Sequence, residues 1–392
     1  MKEIVVVGAT RTAIGAFGGS LKEQSAVQLA MVALESVTRR AGIEKNRVGQ
    51  VILGNCFEPL DQNVARIALV KAGFPIEIPA FHIVATCGSG MQAIMCGVQA
   101  IRDDDVDVVI AGGSESMSTA PYLLTSTRWG QRLQHGQLID MLWRGMQEYP
   151  IGAGMGVTAE NLAEKYGISR EEQDRFALLS QQRAVKAIRE GRFRDEITPV
   201  PIAQKKGEPR MVDTDEYPRA DITLEKLAQL PAAFKKGGTV TAGNSCGIND
   251  AAAVLVLMDG DKAKDLGLKP MARIVSYAVV GVDPSYMGIG PVPATQRALK
   301  KAGLTLKDIQ LIEINEAFAA QYLACERELG WDREIVNVNG SGISLGHPVG
   351  ATGGRLVVTL LHEMAKRNLT MGLATLCAGG GQGFAVIVER KG

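Results

Sequence analysis

Four short stretches of this chain hold residue types that do chemistry. Cys87 ends the extended apolar run Phe81-His82-Ile83-Val84-Ala85 and is followed by Gly88-Ser89-Gly90; apolar residues then recur at helical spacing from Met91. A thiol at that junction faces the free N–H groups and positive dipole end of a helix. It is expected to lose its proton more easily than a free cysteine, and the thiolate is the nucleophile. The plain alternative is a small core cysteine. Cys377 closes a second apolar strand and opens onto Gly379-Gly380-Gly381, whose N–H groups can build an oxyanion hole. His347 lies between Gly346 and Pro348, in a turn and not on an apolar helix face, although a structural histidine fits there too. Asn315-Glu316 is a polar pair at the end of a third apolar strand.

Two thiols, an imidazole, a carboxamide and two glycine-rich turns suit one job. A thiolate with an imidazole performs acyl transfer through a covalent thioester. A second thiol is superfluous for that step, but it can take a proton from carbon next to a thioester carbonyl. The chemistry inferred is acyl transfer coupled to making or breaking a carbon–carbon bond. A cysteine hydrolase would use Cys87 and His347 and leave Cys377 unexplained. The remaining cysteines Cys56, Cys96 and Cys325 are expected to be small core residues.

The elements that must position these groups alternate. Ile4–Val7, Val51–Gly54, Val106–Gly112, Ala251–Met258, Ala272–Gly281, Ile309–Ile314 and Leu373–Leu376 read as strands. Helical patterns fall at Ala26–Ala41, Asn63–Ala72, Pro293–Ala302, Ala317–Leu329 and Gly350–Lys366. Buried strands alternating with helices predict an α/β sheet covered on both faces. The first turn, Gly8-Ala9-Thr10-Arg11, lacks the dinucleotide-binding GxGxxG, and no GxxxxGK[ST] occurs. Residues 1–117 read as one α/β half, 118–248 as an inserted loop domain with helices at Thr158–Tyr166 and Arg170–Glu190, and 249–392 as a second half. Weak internal similarity pairs Val51–Phe57 with Leu311–Phe318, and Val109–Gly113 with Leu376–Gly380. Two copies of one unit, packed about a pseudo-twofold axis, would bring matching strand ends together.

The whole chain narrows the classes. A net charge of +1 over 392 residues, with no basic stripe among aromatics, gives no reason to expect nucleic acid. No apolar run reaches the ~18 residues that cross a membrane, and the start flows directly into a strand. Six scattered cysteines without CxxC and four histidines without ligand spacing predict no disulfide framework and no metal. The expected location is cytoplasmic.

The motifs resemble those of the thiolases along the full length. The resemblance runs from Arg11-Thr12-Ala13-Ile14-Gly15 through Val240-Thr241-Ala242-Gly243-Asn244 and Met287-Gly288-Ile289-Gly290-Pro291 to the final glycines. It implies a duplicated βαβαβαββ fold, layered α-β-α-β-α, and reversible Claisen condensation of two acetyl-CoA into acetoacetyl-CoA and CoA. It further implies that Cys87 carries the acyl group, and that His347 takes the Cys87 proton and later binds the thioester oxygen of the second substrate. Cys377 would remove the α-proton. Asn315 would hold a water that forms one oxyanion hole with His347; the N–H groups of Cys87 and Gly379 would form the other. Met155, Phe234, Ala242, Met287 and Phe318 would line the pantetheine tunnel, with Arg219 near the adenine nucleotide.

Such an enzyme needs no separate cofactor, because CoA arrives with the substrate, and its partners are acyl-CoA and CoA. A homodimer or homotetramer is implied, with segment 119–147 as the tetramer contact. Three departures bear on substrate fit: Gly154 where many relatives carry histidine, Cys246 where they carry a pantetheine-touching serine, and Gly340-Ser341-Gly342-Ile343-Ser344 before the histidine. The rival readings are a degradative 3-ketoacyl-CoA thiolase for longer chains and a non-catalytic acyl-CoA-binding subunit.

Overall fold

The computed structural model describes residues 2–390. Strand β1 (Ile4–Thr12) is followed by α1 (Ala26–Ala41), β2 (Gln50–Gly54), α2 (Val64–Lys71), β3 (Ala80–Ile83), α3 (Ser89–Arg102) and β4 (Val108–Ser116). After an insertion containing α4 (Met155–Tyr166) and α5 (Arg170–Arg189), β5 (Asn249–Asp259) returns to the same sheet. The second half runs β6 (Ala272–Gly281), α6 (Pro291–Ala302), β7 (Leu311–Ile314), α7 (Ala319–Leu329), α8 (Val349–Arg367), β8 (Met371–Ala378) and β9 (Gln382–Glu389). The helices begin where the sequence supplies caps. Ser25 and Gln28 form a capping box before α1, and Asn63 accepts from the Arg66 N–H before α2.

The two halves share one topology. The first sheet is ordered β3-β2-β4-β5-β1 and the second β7-β8-β9-β6, joined where Val5 and Val6 pair with Arg273 and Ala272. In both, the first crossover pair is parallel (β2 with β4, β7 with β8) and the pairs that follow are antiparallel. A lone parallel bridge from Ile312 to Val336 stands where β3 pairs with β2 in the first half. The duplication is therefore real.

Two sequence expectations change. Strand β5, assigned to the C-terminal half that was to start at 249, hydrogen-bonds to β1 and β4 and so completes the first sheet. The second half starts after it. The glycine-based match of Val109 to Leu376 is out of register, since Val109 sits opposite Gln50 while Leu311 sits opposite Gly372. Registers align Gly54 with Ile314 and Gly113 with Thr375. This makes Asn55 the counterpart of Asn315, and Glu115 the counterpart of Cys377.

Alternation along the strands builds the layers. Val254, Val256 and Met258 of β5 face α1 and α2, whereas Ala253, Leu255 and Leu257 face the layer of α3 and α8. On the other sheet Phe384, Val386 and Val388 meet that same layer, and Ala385 and Ile387 point out to α6 and α7. The order is α-β-α-β-α. Helices α3 and α8 cross backbone to backbone: a Cβ on Gly90 would lie 2.8 Å from the Gly350 carbonyl oxygen, and one on Gly353 would lie 2.3 Å from the Met91 nitrogen. That crossing places the starts of both helices side by side, with Cys87 before one and His347 before the other.

Candidate active site

Cys87 sits in a tight turn between β3 and α3. Gly88 N–H donates to the Ala85 carbonyl and Ser89 N–H to the Thr86 carbonyl, each at 3.1 Å. The Ser89 hydroxyl donates to Thr86 O at 2.6 Å and accepts from Ala85 N–H at 2.8 Å. Thr86 is held at φ +48°, a strained setting for a β-branched residue that costs about 1–3 kcal/mol. Its hydroxyl reaches the Gly379 carbonyl at 3.1 Å, which links the nucleophile turn to the glycine turn of the other half. Gly88 is required here, because a Cβ would lie 2.2 Å from the Phe384 ring.

The thiol is not acidic as expected from the helix end. Burial pushes it up to about 11 and outweighs the N–H groups of Gly379 and of Cys87 itself that point at the sulfur. Those two N–H groups are the ones the resemblance names for an oxyanion hole. Cys377 is fully buried in the apolar layer under α6 and α7, and its thiol is pushed well above the usual range by burial and then by the nearby charge on Cys87. The contact of Thr86 with Gly379 brings together the two turns that flank these sulfurs, far apart in sequence, in one site.

His347 is fixed from three directions. Its backbone N–H donates to Asn249 Oδ1 at 2.9 Å, and Gly346 before it adopts φ +108° against that asparagine. Nδ1 lies 2.6 Å from Thr352 Oγ1, while that hydroxyl donates to the Pro348 carbonyl at 2.9 Å. The hydroxyl has one proton for two neighbours; with it on the Pro348 carbonyl, Nδ1 is the donor and Nε2 presents its lone pair. Burial, then the charge of Arg355, pushes the imidazole down to about 3 and keeps it neutral. Asn315 Nδ2 lies 3.4 Å from Nε2 and 3.5 Å from Nδ1, so the amide rests over the ring. Its Oδ1 is buried and, among the described residues, takes no hydrogen bond.

The remaining expected residues divide. Met155, Phe234, Met287 and Phe318 join one apolar cluster with Cys377; Phe234 meets Phe318 edge-on at 5.9 Å, and the Met155 methyl packs over Gly379. Cys246 donates its N–H to the Ala317 carbonyl at 2.9 Å, and its thiol, pushed to about 12 by burial, also feels the Cys87 charge. Ala242 stays exposed in the turn after Thr241. Arg219 lies apart, in a cavity of about 350 Å³ with Lys186, Arg189 and Gln181. Cys56, expected in the core, lies against the nucleophile turn, its sulfur 3.3 Å from Thr86 O and from Ser89 Oγ. Among the described residues no group of His, Cys, Asp or Glu is arranged to hold a metal ion.

Sequence reading passed over Thr352, Arg355 and Glu115. Glu115 accepts from Asn55 Nδ2 at 2.9 Å, from the Cys56 and Phe57 N–H groups at 3.0 and 3.1 Å, and from Gly350 N–H at 2.8 Å. Burial still raises its carboxyl to about 7. The available signal was its place at a strand end equivalent to that of Cys377, hidden by the wrong register.

Residues 4–261 match the thiolase N-terminal domain and residues 268–390 the thiolase C-terminal domain. An acetyl-CoA acetyltransferase of Pseudomonas aeruginosa is 54% identical over the full length of both chains. The crystal structure of the Bacillus anthracis acetyl-CoA acetyltransferase superposes with a TM-score of 0.97 at 52% identity, covering 100% of this chain and 99% of that one. Human mitochondrial 3-ketoacyl-CoA thiolase in complex with CoA superposes at 0.95 with 45% identity, covering 100% and 98%. The chain belongs to the thiolase family.

Proposed function

We propose that this enzyme is an acetyl-CoA acetyltransferase that joins two acetyl-CoA into acetoacetyl-CoA and CoA, reversibly, through an acetyl-Cys87 intermediate. The observation that carries the reading is the meeting of three turns: buried His347 opens the helix beside the Cys87 turn, and the Thr86 hydroxyl reaches the turn after buried Cys377 at 3.1 Å. His347 takes the Cys87 proton as the sulfur attacks the thioester carbon; the carbon–sulfur bond to CoA breaks, and the departing sulfur takes the Cys377 proton. Cys377 is left as a thiolate beside an imidazolium, each offsetting the other's charge. The Cys377 thiolate removes an α-proton from the second acetyl-CoA, and the resulting carbanion attacks acetyl-Cys87. The expelled Cys87 sulfur takes back the proton held on His347. All three groups return to their starting states.

The N–H groups of Cys87 and Gly379 would receive the oxygen of the acyl-enzyme, and His347 with an Asn315-held water that of the second thioester. Met155, Phe234, Met287, Phe318, Ala242 and Cys246 would flank the pantetheine arm, with Arg219 at the nucleotide end. No further cofactor is needed for this chemistry. The acetyl substrate is supported by curated relatives named acetyl-CoA acetyltransferase, which share 49–54% identity with this chain.

A cytoplasmic homodimer or homotetramer fits the surface. Edge strand β3 and the residue after it expose Phe81 and Val84, and segment 119–147 exposes Trp129 at 93% and Leu133 at 86%. Among the described residues no helix is long and apolar enough to cross a membrane. Intact-protein mass spectrometry after mixing with acetyl-CoA tests the reading. One acetyl adduct is expected, lost in Cys87→Ala and removed by added CoA; an unmodified wild-type chain would overturn it.

A further inference from the structure

We propose that Arg355, acting through Ser341 and Glu313, is a positioning residue for the Asn315–His347 pair; this rests on the roles given to those two groups above. Arg355 and Glu313 are both wholly buried, with Nη1 3.1 Å from Oε2. Arginine–carboxylate pairs are frequently two-pronged, guanidinium fork against carboxylate fork. Here the second prong turns away: Nη2 donates to Ser341 Oγ at 2.8 Å, and Glu313 Oε1 and Arg355 Nε are left without partners among the described residues. Ser341 Oγ in turn donates to the Ile314 carbonyl at 2.9 Å. That carbonyl belongs to the peptide bond whose N–H is Asn315's own, and Asn315 N–H donates to Thr375 O at 3.1 Å.

The chain of donors therefore runs in one direction, from a fixed cation through one hydroxyl to the peptide plane that aims the Asn315 amide over the imidazole. Asn337 brackets Ile314, its Oδ1 accepting from Ile314 N–H at 2.8 Å and its Nδ2 donating to the same Ile314 carbonyl at 3.0 Å. Gly342, next to Ser341, packs on the amide itself: a Cβ there would stand 2.6 Å from Asn315 Oδ1. Helix α8 is the common support. Thr352 holds the imidazole and Arg355, one turn later, holds the asparagine strand. A buried charge is hard to move, so one helix fixes both partners relative to each other.

The test is a double-mutant cycle on condensation kinetics with Ser341→Ala, Asn315→Ala and the pair, with Arg355→Lys as a second entry to the same link. Ser341→Ala is expected to lower kcat about tenfold, with KM for acetyl-CoA within about twofold and melting within a few degrees. Arg355→Lys is expected to behave likewise, because an ammonium lacks the fork that spans Glu313 and Ser341. Combined with Asn315→Ala, the Ser341 substitution should add less than about twofold, since both act on one amide. Wild-type kcat per folded molecule in Ser341→Ala and Arg355→Lys, or losses that multiply with Asn315→Ala, would overturn the proposal. If Asn315→Ala alone leaves condensation intact, the role given to Asn315 fails first and the proposal falls with it.

Discussion

The Nδ1 of His347 lies 2.6 Å from the hydroxyl oxygen of Thr352, and that oxygen lies 2.9 Å from the Pro348 carbonyl, which can take its proton. One short side chain on the first turn of α8 thereby decides which imidazole nitrogen is the base. Thr352→Val keeps the volume and removes the acceptor. The tautomer is then no longer fixed, and the loss of about 1 kcal/mol should slow Cys87 acetylation roughly fivefold while the protein stays folded. Stopped-flow release of CoA measures it; an unchanged rate would show that the tautomer is set elsewhere.

Cys377→Ser separates the two half-reactions. The acetyl adduct on Cys87 should still form and accumulate, and condensation should fall by about 10²–10⁴-fold because a buried alcohol is a poor base for a carbon acid. Mass spectrometry reads the adduct, and acetoacetyl-CoA absorbance reads the condensation. Equal losses in both steps would mean that Cys377 serves the nucleophile and not the α-proton.

With the Cys87 thiol near 11 and His347 near 3, the resting enzyme holds a neutral pair and not a thiolate–imidazolium pair. The thiolate fraction should therefore grow about tenfold for each pH step of one between 7 and 9, with no plateau in that range. Iodoacetamide modification of Cys87, followed by peptide mass spectrometry, gives the profile. A rate already flat at pH 7 would restore the helix-end acidity expected from the sequence.

Arg11 is wholly buried, with Nε 2.6 Å from Glu196 and its two Nη atoms 2.7 and 2.8 Å from the Asp215 oxygens. It ties β1 to the insertion at two points. Asp215→Asn strands part of that charge in the core and should cost about 3–5 kcal/mol of stability, read by urea denaturation. A cost below about 1 kcal/mol would show that Glu196 suffices.

What the chain disclosed in advance follows its periodicities. Strand alternation and helix patterns gave the layers, and the break from Ala85 to Met91 located the nucleophile turn, because both signals are local. The stretch around Cys87 advertises the helix end and is silent about the second half that closes over it, so the burial that raises the thiol could not be read there. Strand β5 went to the wrong half for a related reason: its apolar run fits either sheet, and only pairing with β1 and β4 decides. Thr352, Arg355 and Glu115 stayed hidden since each acts on a group distant in sequence or through a hydrogen-bond direction that composition does not carry. Cys56 looked like core filler until Thr86 and Ser89 were seen beside it.

The matched strand ends have one more implication. Asn55 and Asn315 are counterparts, yet one binds a scaffold carboxylate and the other rests on the imidazole; Glu115 and Cys377 are counterparts, yet one gathers N–H groups and the other offers a sulfur. A half-length chain used twice would have to give both roles to the same amino acid. Two halves in one chain remove that compromise at Glu115 and Cys377, while Asn55 and Asn315 keep one amino acid in two settings; the asymmetry of the catalytic centre is what the extra length makes possible.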